Sequence, residues 1–300
     1  MNRATTPTPR AGWLAPALFF AAALALRLVR LGAQSLWLDE GGTWDVVTGR
    51  PWVSLLADLW SARSGYPLYH LLMKGWVALF GDSEWALRLP SALAGALAVA
   101  LLYALGRRLG GARIGALAAG LLLINPLALW ISQDAKVYSL LLALVIWSLL
   151  ALLDAIERGT RRRWLVWLGL AAALLLAHRL SLLLVIGQAA LVGLYAPLRG
   201  RWRRAAQFAP LALLLGLAWG LSAGIQQDPN APQVAARINP GRALLILLER
   251  FAFDRPPRSS AWLALLAAAG LALGGLAVWE RARAGERTPA RLLAGAGLAP

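Results

Sequence analysis

Three polar groups, far apart along the chain, carry residue types that can do acid–base or anion chemistry. The first is AQSLWLDEGGTW (33–44), where Asp39 and Glu40 are neighbours and Gly41 and Gly42 follow. Adjacent carboxylates discourage each other's ionisation, and partial desolvation adds to this, so one of the pair is expected to have a raised pKa suited to a general base. The two glycines would let the backbone approach a ligand or turn sharply. On composition alone, a solvated charged loop looks the same. The second group is SQDAKVY (132–138), with Gln133, Asp134, Lys136 and Tyr138. A helix starting here would put Asp134 and Tyr138 on one face, and Lys136 would offer a phosphate a point charge. An ordinary helix cap with an interfacial lysine is the plainer alternative. The third is the pair His178 and Arg179, where a lone histidine at a helix end also serves simply as a cap. Arg88 and the later Arg237, Arg242, Arg250, Arg255 and Arg258 add anion-binding capacity. The carboxylate spacing gives no recognisable divalent-metal motif. The chain has no P-loop or Rossmann fingerprint, which argues against a nucleotide reaction on the cytoplasmic side.

The elements that must position these groups are set by an apolar composition. Of 300 residues, 59% are hydrophobic, and the mean hydropathy is +0.61, far outside the soluble range. There is no cysteine, which excludes disulfides and thiolate-ligated centres. The 30 basic residues outnumber the 14 acids, but they fall in short clusters between long apolar runs, which points to a polytopic membrane protein and not to a nucleic-acid binder. Runs of about 20 residues are needed to cross the hydrocarbon core. Such runs fall at roughly 13–31, 85–105, 114–131, 137–153, 164–178, 180–196, 205–224 and 259–279. The expectation is an all-α protein of about eight transmembrane helices, because a lipid-facing backbone must satisfy its own polar groups.

With a cytoplasmic N-terminus, the inner segments hold 17 basic residues and 4 acids, and the formal charge of +16 divides as about +13 inside and +3 outside. The positive-inside bias therefore predicts N-in and C-in. Clusters such as RRRW (161–164) and RGRWRR (199–204) would meet anionic headgroups. The predicted plan is a cytoplasmic N-terminus (1–12), a transmembrane module (13–224) with an outer loop at 32–84, a second outer loop (225–258), a last span (259–279) and a cytoplasmic tail (280–300). The first apolar run reads as an uncleaved anchor because Arg27 and Arg30 lie near its far end. Within 32–84, PWVSLLADLW and PLYHLLMKGWVALFG suggest amphipathic helices lying in the interface, with a ninth span at 66–80 as the alternative.

The stretches LRLVRLGAQSLWLDEGGTW (26–44), PLYHLLMKGWVALFGDSEWALRLPSALAGAL (67–97), GRRLGG (106–111), NPLALWISQDAKVYSLLLAL (125–144) and AHRLSLLLV (177–185) resemble the integral-membrane GT-C glycosyltransferases. The likeness is to the protein O-mannosyltransferase, aminoarabinose transferase and Rgt-like group, and it covers roughly 14–200. It implies a polyprenyl-phosphate sugar donor, a lipid, glycan or protein acceptor at the outer face of the cell membrane, and inversion at the anomeric carbon. The family's acidic pair falls on Asp39 and Glu40, with Asp39 implied as base or acceptor-orienting group, and Asp134 joins them. Gln133 fits the family pattern, Asp134 replaces the commoner Glu, Lys136 replaces the commoner Arg, and Tyr138 is displaced by one position. His178 remains from a Thr-His-Tyr motif. From His-Pro-Pro-Leu-Tyr, Pro67, Leu68 and Tyr69 survive, with Gly65 and Tyr66 in place of His-Pro. The resemblance thus implies catalytic roles for Asp39, Glu40 and Asp134 and substrate contacts from Gln133, Lys136, Tyr138, His178, Tyr69 and Arg88. Family members commonly run to more spans, so eight suggests a short member or an incomplete reading frame. A transporter or flippase of lipid-linked saccharides is the alternative from another class, although the spans are nearly free of acids, unlike those of ion-coupled carriers.

Overall fold

The computed structural model describes residues 11–61, 65–178, 181–195, 207–208 and 210–212. The described residues form ten helices and no strand: α1 (Ala11–Leu28), α2 (Leu38–Gly49), α3 (Trp52–Ser61), α4 (Pro67–Phe80), α5 (Glu84–Gly110), α6 (Ala112–Ile124), α7 (Pro126–Ser132), α8 (Tyr138–Arg158), α9 (Arg161–Ala177) and α10 (Ser181–Tyr195).

By length and apolarity α5 and α8 can each cross a membrane, and α6 with α7 can make a third crossing if the bent pair counts as one span. The expected single span at 114–131 is corrected here: it is broken, with α6 and α7 meeting at 63°. Pro126 is the cause. It lacks an N–H and pushes Asn125 out of the helical region, and the freed Asn125 caps α7 by accepting from the Ala128 N–H at 2.8 Å. Helices α1, α9 and α10 are apolar and have 18, 17 and 15 residues. The expected loop, span and tail at 225–258, 259–279 and 280–300, and nearly all of 205–224, lie outside the described residues.

Helix α5 is the hub and packs against α1, α6, α7 and α8, while α9 and α10 close over α8. Small residues permit the tightest of these contacts. A Cβ on Gly115 of α6 would stand 2.6 Å from the Tyr103 carbonyl of α5, so the two backbones meet where only glycine fits. Ala23, Ala96, Val99 and Ala119 seal α1, α5 and α6 together. Trp164, Trp167, Leu152 and Ile156 fill the space between α8 and α9. Inside that apolar layer Trp167 donates to Gln188, which donates to Ser148, both at 2.8 Å, so these three side chains of α9, α10 and α8 satisfy one another. Leu117, Leu121 and Ile124 on α6 and Trp13, Leu14 and Leu18 on α1 point outward, as lipid-facing side chains do.

The two ends of α5 are pinned by ion pairs. Arg88 holds Glu40 at one end. At the other, Arg108 holds Asp154 at 2.8 Å and Glu157 at 2.7 Å on α8, and Arg163 of α9 reaches Asp154 at 2.7 Å. The segment 32–84 contains α2, α3 and α4, which gather beside the Arg88 end of α5. Helix α4 is 14 residues long, or about 21 Å at the helical rise, too short for the alternative ninth span.

Candidate active site

Asp39 and Glu40 fall in the first turn of α2, where carboxylates complement the positive end of the helix. Neighbours on a helix diverge by about 100°, and the two carboxylates accordingly have opposite fates. Asp39 is exposed, whereas Glu40 is buried, with 1% of its surface exposed.

Glu40 is locked by Arg88, which itself is only 5% exposed. Arg88 Nε donates to Oε1 at 2.8 Å and Nη2 to Oε2 at 2.6 Å. The other Arg88 protons go to the carbonyls of Leu31 (3.0 Å), Gln34 (2.8 Å) and Ser35 (3.1 Å). All five guanidinium N–H groups are thus taken by protein oxygens. Glu40 also accepts from the Ala135 N–H at 2.8 Å and the Trp37 N–H at 3.3 Å. One ion pair therefore ties together the exit of α1, the start of α2, the head of α5 and the turn before α8. Burial alone would raise the Glu40 pKa, but the Arg88 bond and charge and the two backbone donors outweigh it and hold it below the usual carboxylate range. The expected raised member of the acidic pair is not Glu40.

The raised carboxyl is Asp134. It sits in the turn between α7 and α8 and is 3% exposed. Trp37 Nε1 donates to Oδ1 at 2.9 Å, while Oδ2 is buried without a partner. Burial pushes its pKa up to about 6; the Trp37 donor and Lys136 oppose the shift, and the nearby Glu40 carboxylate reinforces it. The expected helical pairing of Asp134 with Tyr138 is corrected, because α8 begins only at Tyr138. Residues that might have continued the helix are held otherwise: the Ala135 N–H serves Glu40, and the Lys136 N–H turns back to the Asp134 carbonyl at 2.7 Å. Gln133 Nε2 donates to the carbonyls of Arg27 (3.0 Å) and Val29 (2.9 Å), fastening the turn to α1. Ser91 fastens it to α5 by donating to the Lys136 carbonyl at 3.1 Å. The Lys136 side chain is half-buried, and its charge acts on Asp134 and His70.

The remaining site residues lie beside this turn. Tyr138 is 38% exposed and feels the charges of Asp39 and Asp134. His178 caps α9, its N–H donating to the Leu174 carbonyl at 3.0 Å, and its ring lies 5.4 Å from that of Tyr66. Tyr69 is buried, and its hydroxyl lies close to Ser91 without hydrogen-bonding geometry. Both line a cavity of about 160 Å³ together with Met73, Trp76, Pro90 and Leu140. The glycine expectation is also corrected. Gly41 and Gly42 lie inside α2 and so make no sharp turn, and the space where a Cβ would go is open.

Sequence reading missed Trp37, Tyr66 and His70. The tryptophan stands two residues before Asp39, and nothing in its spacing marks it as a partner of Asp134, 97 residues away. His70 is one of only two histidines. Burial, with help from Lys136 and Arg50 and partial opposition from Asp58, pulls it down to about 4, so it is neutral near pH 7. Arg179, Arg237, Arg242, Arg250, Arg255 and Arg258 lie outside the described residues. Among the described residues, no three His, Asp or Glu side chains gather as a metal-ligand group.

Apolar helices, with Glu40, Arg88, Asp134 and Lys136 gathered at the Arg88 end of α5, define a membrane protein whose site is assembled from sequence-distant segments. Residues 64–224, more than half of the chain, match the family described as dolichyl-phosphate-mannose-protein mannosyltransferase, and the chain belongs to that family. It is a membrane glycosyltransferase of the GT-C type by that membership. The match includes the Gln133–Tyr138 turn, Tyr69, Arg88 and His178, while Asp39 and Glu40 precede it. No curated protein and no solved structure matches the chain.

Proposed function

We propose that the protein transfers a sugar from a polyprenyl-phosphate donor to an acceptor hydroxyl at the outer face of the cell membrane, with inversion. The observation that carries this reading is the gathering, in a chain of this family, of an exposed carboxylate, a half-buried ammonium and a buried carboxyl with one unpaired oxygen around a single rigid turn. Asp39 takes the proton of the acceptor hydroxyl as its oxygen bonds to the anomeric carbon. The carbon–oxygen bond to phosphate breaks with its electron pair, releasing the polyprenyl phosphate. Lys136 holds that phosphate as a compact charge. Asp134 meets a hydroxyl of sugar or acceptor through its unpaired oxygen once that buried atom is uncovered, and Tyr138, His178 and Tyr69 line the approach. Glu40, Arg88 and Gln133 act as positioning residues, since their polar atoms are engaged with the protein itself.

Replacing Asp39 with Asn keeps size and exposure and removes the base. Transfer from a polyprenyl-phosphate sugar by Asp39→Asn protein in membranes should fall by roughly 10²–10⁴-fold, the usual scale of general-base catalysis. Near-normal turnover in that variant would remove the base assignment.

The break between α6 and α7 favours a second reading, a transporter or flippase of lipid-linked saccharides, because secondary transporters build sites from discontinuous helices. A flippase leaves the sugar–phosphate bond intact. Following doubly labelled carrier and sugar in sealed vesicles therefore separates the two readings.

A further inference from the structure

Tyr66 stands immediately before Pro67, at the N-cap of α4, with a half-buried ring. Its ring centroid lies 5.4 Å from the imidazole of His178 at the end of α9, with the planes tilted by 34°. His70, one turn further along α4, meets the same ring edge-on at 6.0 Å. Tyr66 also neighbours the phenol of Tyr138, which in turn feels the charge of Asp39. Side chains from α4, from the head of α8 and from the end of α9 thus meet at this one ring. The two histidines that back the ring stand on anchored backbone. His178 is bonded through its N–H to Leu174 and through its carbonyl to the Ser181 N–H at 3.0 Å, and His70 is buried.

A pyranose presents a face of polarised C–H groups and a rim of hydroxyls. An aromatic ring offers the complement: a negative π face for the C–H groups and, in tyrosine, a hydroxyl at one edge. A ring already held against two imidazoles loses little freedom when a sugar packs on its remaining exposed surface, so most of the contact energy appears as affinity. We propose that Tyr66, backed by His178 and His70, is the platform on which the donor sugar ring packs, and so a residue that decides which sugar is accepted. This rests on the glycosyl-transfer reading above and adds to it a residue that the family motif, with proline at this position, does not supply.

The test uses the full chain in lipid nanodiscs and a panel of polyprenyl-phosphate hexoses and pentoses, with sugar-free polyprenyl phosphate as competitive inhibitor. For the donor that the native protein uses best, Tyr66→Leu should raise KM about tenfold, the loss of one ring–sugar contact of about 1.4 kcal/mol. The inhibition constant of the sugar-free carrier should stay within about twofold, because the ring touches sugar and not phosphate, and Tyr66→Phe should restore most of the donor KM. An unchanged KM in Tyr66→Leu overturns the platform. So does a parallel rise in KM and in the carrier's inhibition constant, which would mark a structural role. Absence of transfer by the native protein from every donor in the panel would overturn the enzymatic reading itself, a result distinct from either of these.

Discussion

Glu40 and Asp134 show two carboxyl groups driven in opposite directions by what surrounds them. Glu40 has four N–H donors and a cation, and it stays ionised in the interior. Removing its charge strands Arg88 without a counter-ion in a dry site. Glu40→Gln should therefore cost about 3–5 kcal/mol, read as a large drop in the thermal unfolding midpoint in detergent. Asp134 has one donor and an unpaired oxygen, so the folded chain keeps its proton up to about 6 against an ordinary value of 3.8. Proton uptake by the folded state stabilises it, and that stabilisation is lost as pH rises through this window. The Glu40 contribution runs the other way and is complete above its ordinary pKa of 4.5. Between pH 5 and pH 7, then, Asp134→Asn protein should gain stability relative to the native chain while losing transfer activity, as melts at the two pH values together with activity assays would reveal. The adjacency of Asp39 and Glu40 was plain in the sequence, but which one would be buried was not. That depends on Arg88, 48 residues away, and on the phase of a helix with no clear apolar stripe.

At the level of elements, the apolar runs predicted α1, α5 and α8 to within a few residues, because lipid leaves the backbone no alternative to helix. The break at Asn125–Pro126 was legible in principle from proline alone, but the surrounding apolar run concealed it. Glycines divide into those the packing requires and those it does not. A Cβ on Gly95 of α5 would collide with Ser132 and come 2.8 Å from Arg27 Nε, at the root of the Gln133–Val137 turn. Gly95→Ala should cost about 1–3 kcal/mol by overpacking and weaken donor binding with it. Gly42 faces open space within α2. Gly42→Ala should instead stabilise that helix by about 0.5–1 kcal/mol. Thermal melts of the two variants side by side check both signs.

For the whole molecule, α5 acts as a ruler. Arg88 and Arg108 are 20 residues apart, about 30 Å along the helix, which is the depth of a hydrocarbon core. The ion-pair network of Arg108, Asp154, Glu157 and Arg163 therefore lies at the end of the bundle opposite the candidate site. The charge asymmetry of the sequence predicts that this end is cytoplasmic. Because the chain has no cysteine, orientation can be read from two exposed positions, Thr48 and Arg162. In intact cells an impermeant thiol reagent should label Thr48→Cys protein, and should label Arg162→Cys protein only after permeabilisation; the reverse pattern would invert the topology.

The fully engaged guanidinium of Arg88 has a kinetic consequence. Because four segments of the chain are already clasped before any donor arrives, the Glu40–Arg88 scaffold needs no ordering when the lipid binds. Conformational gating during turnover must then originate outside that clasp, at the buried Asp134 oxygen and on the Asp39 side, where the carboxylate still meets solvent.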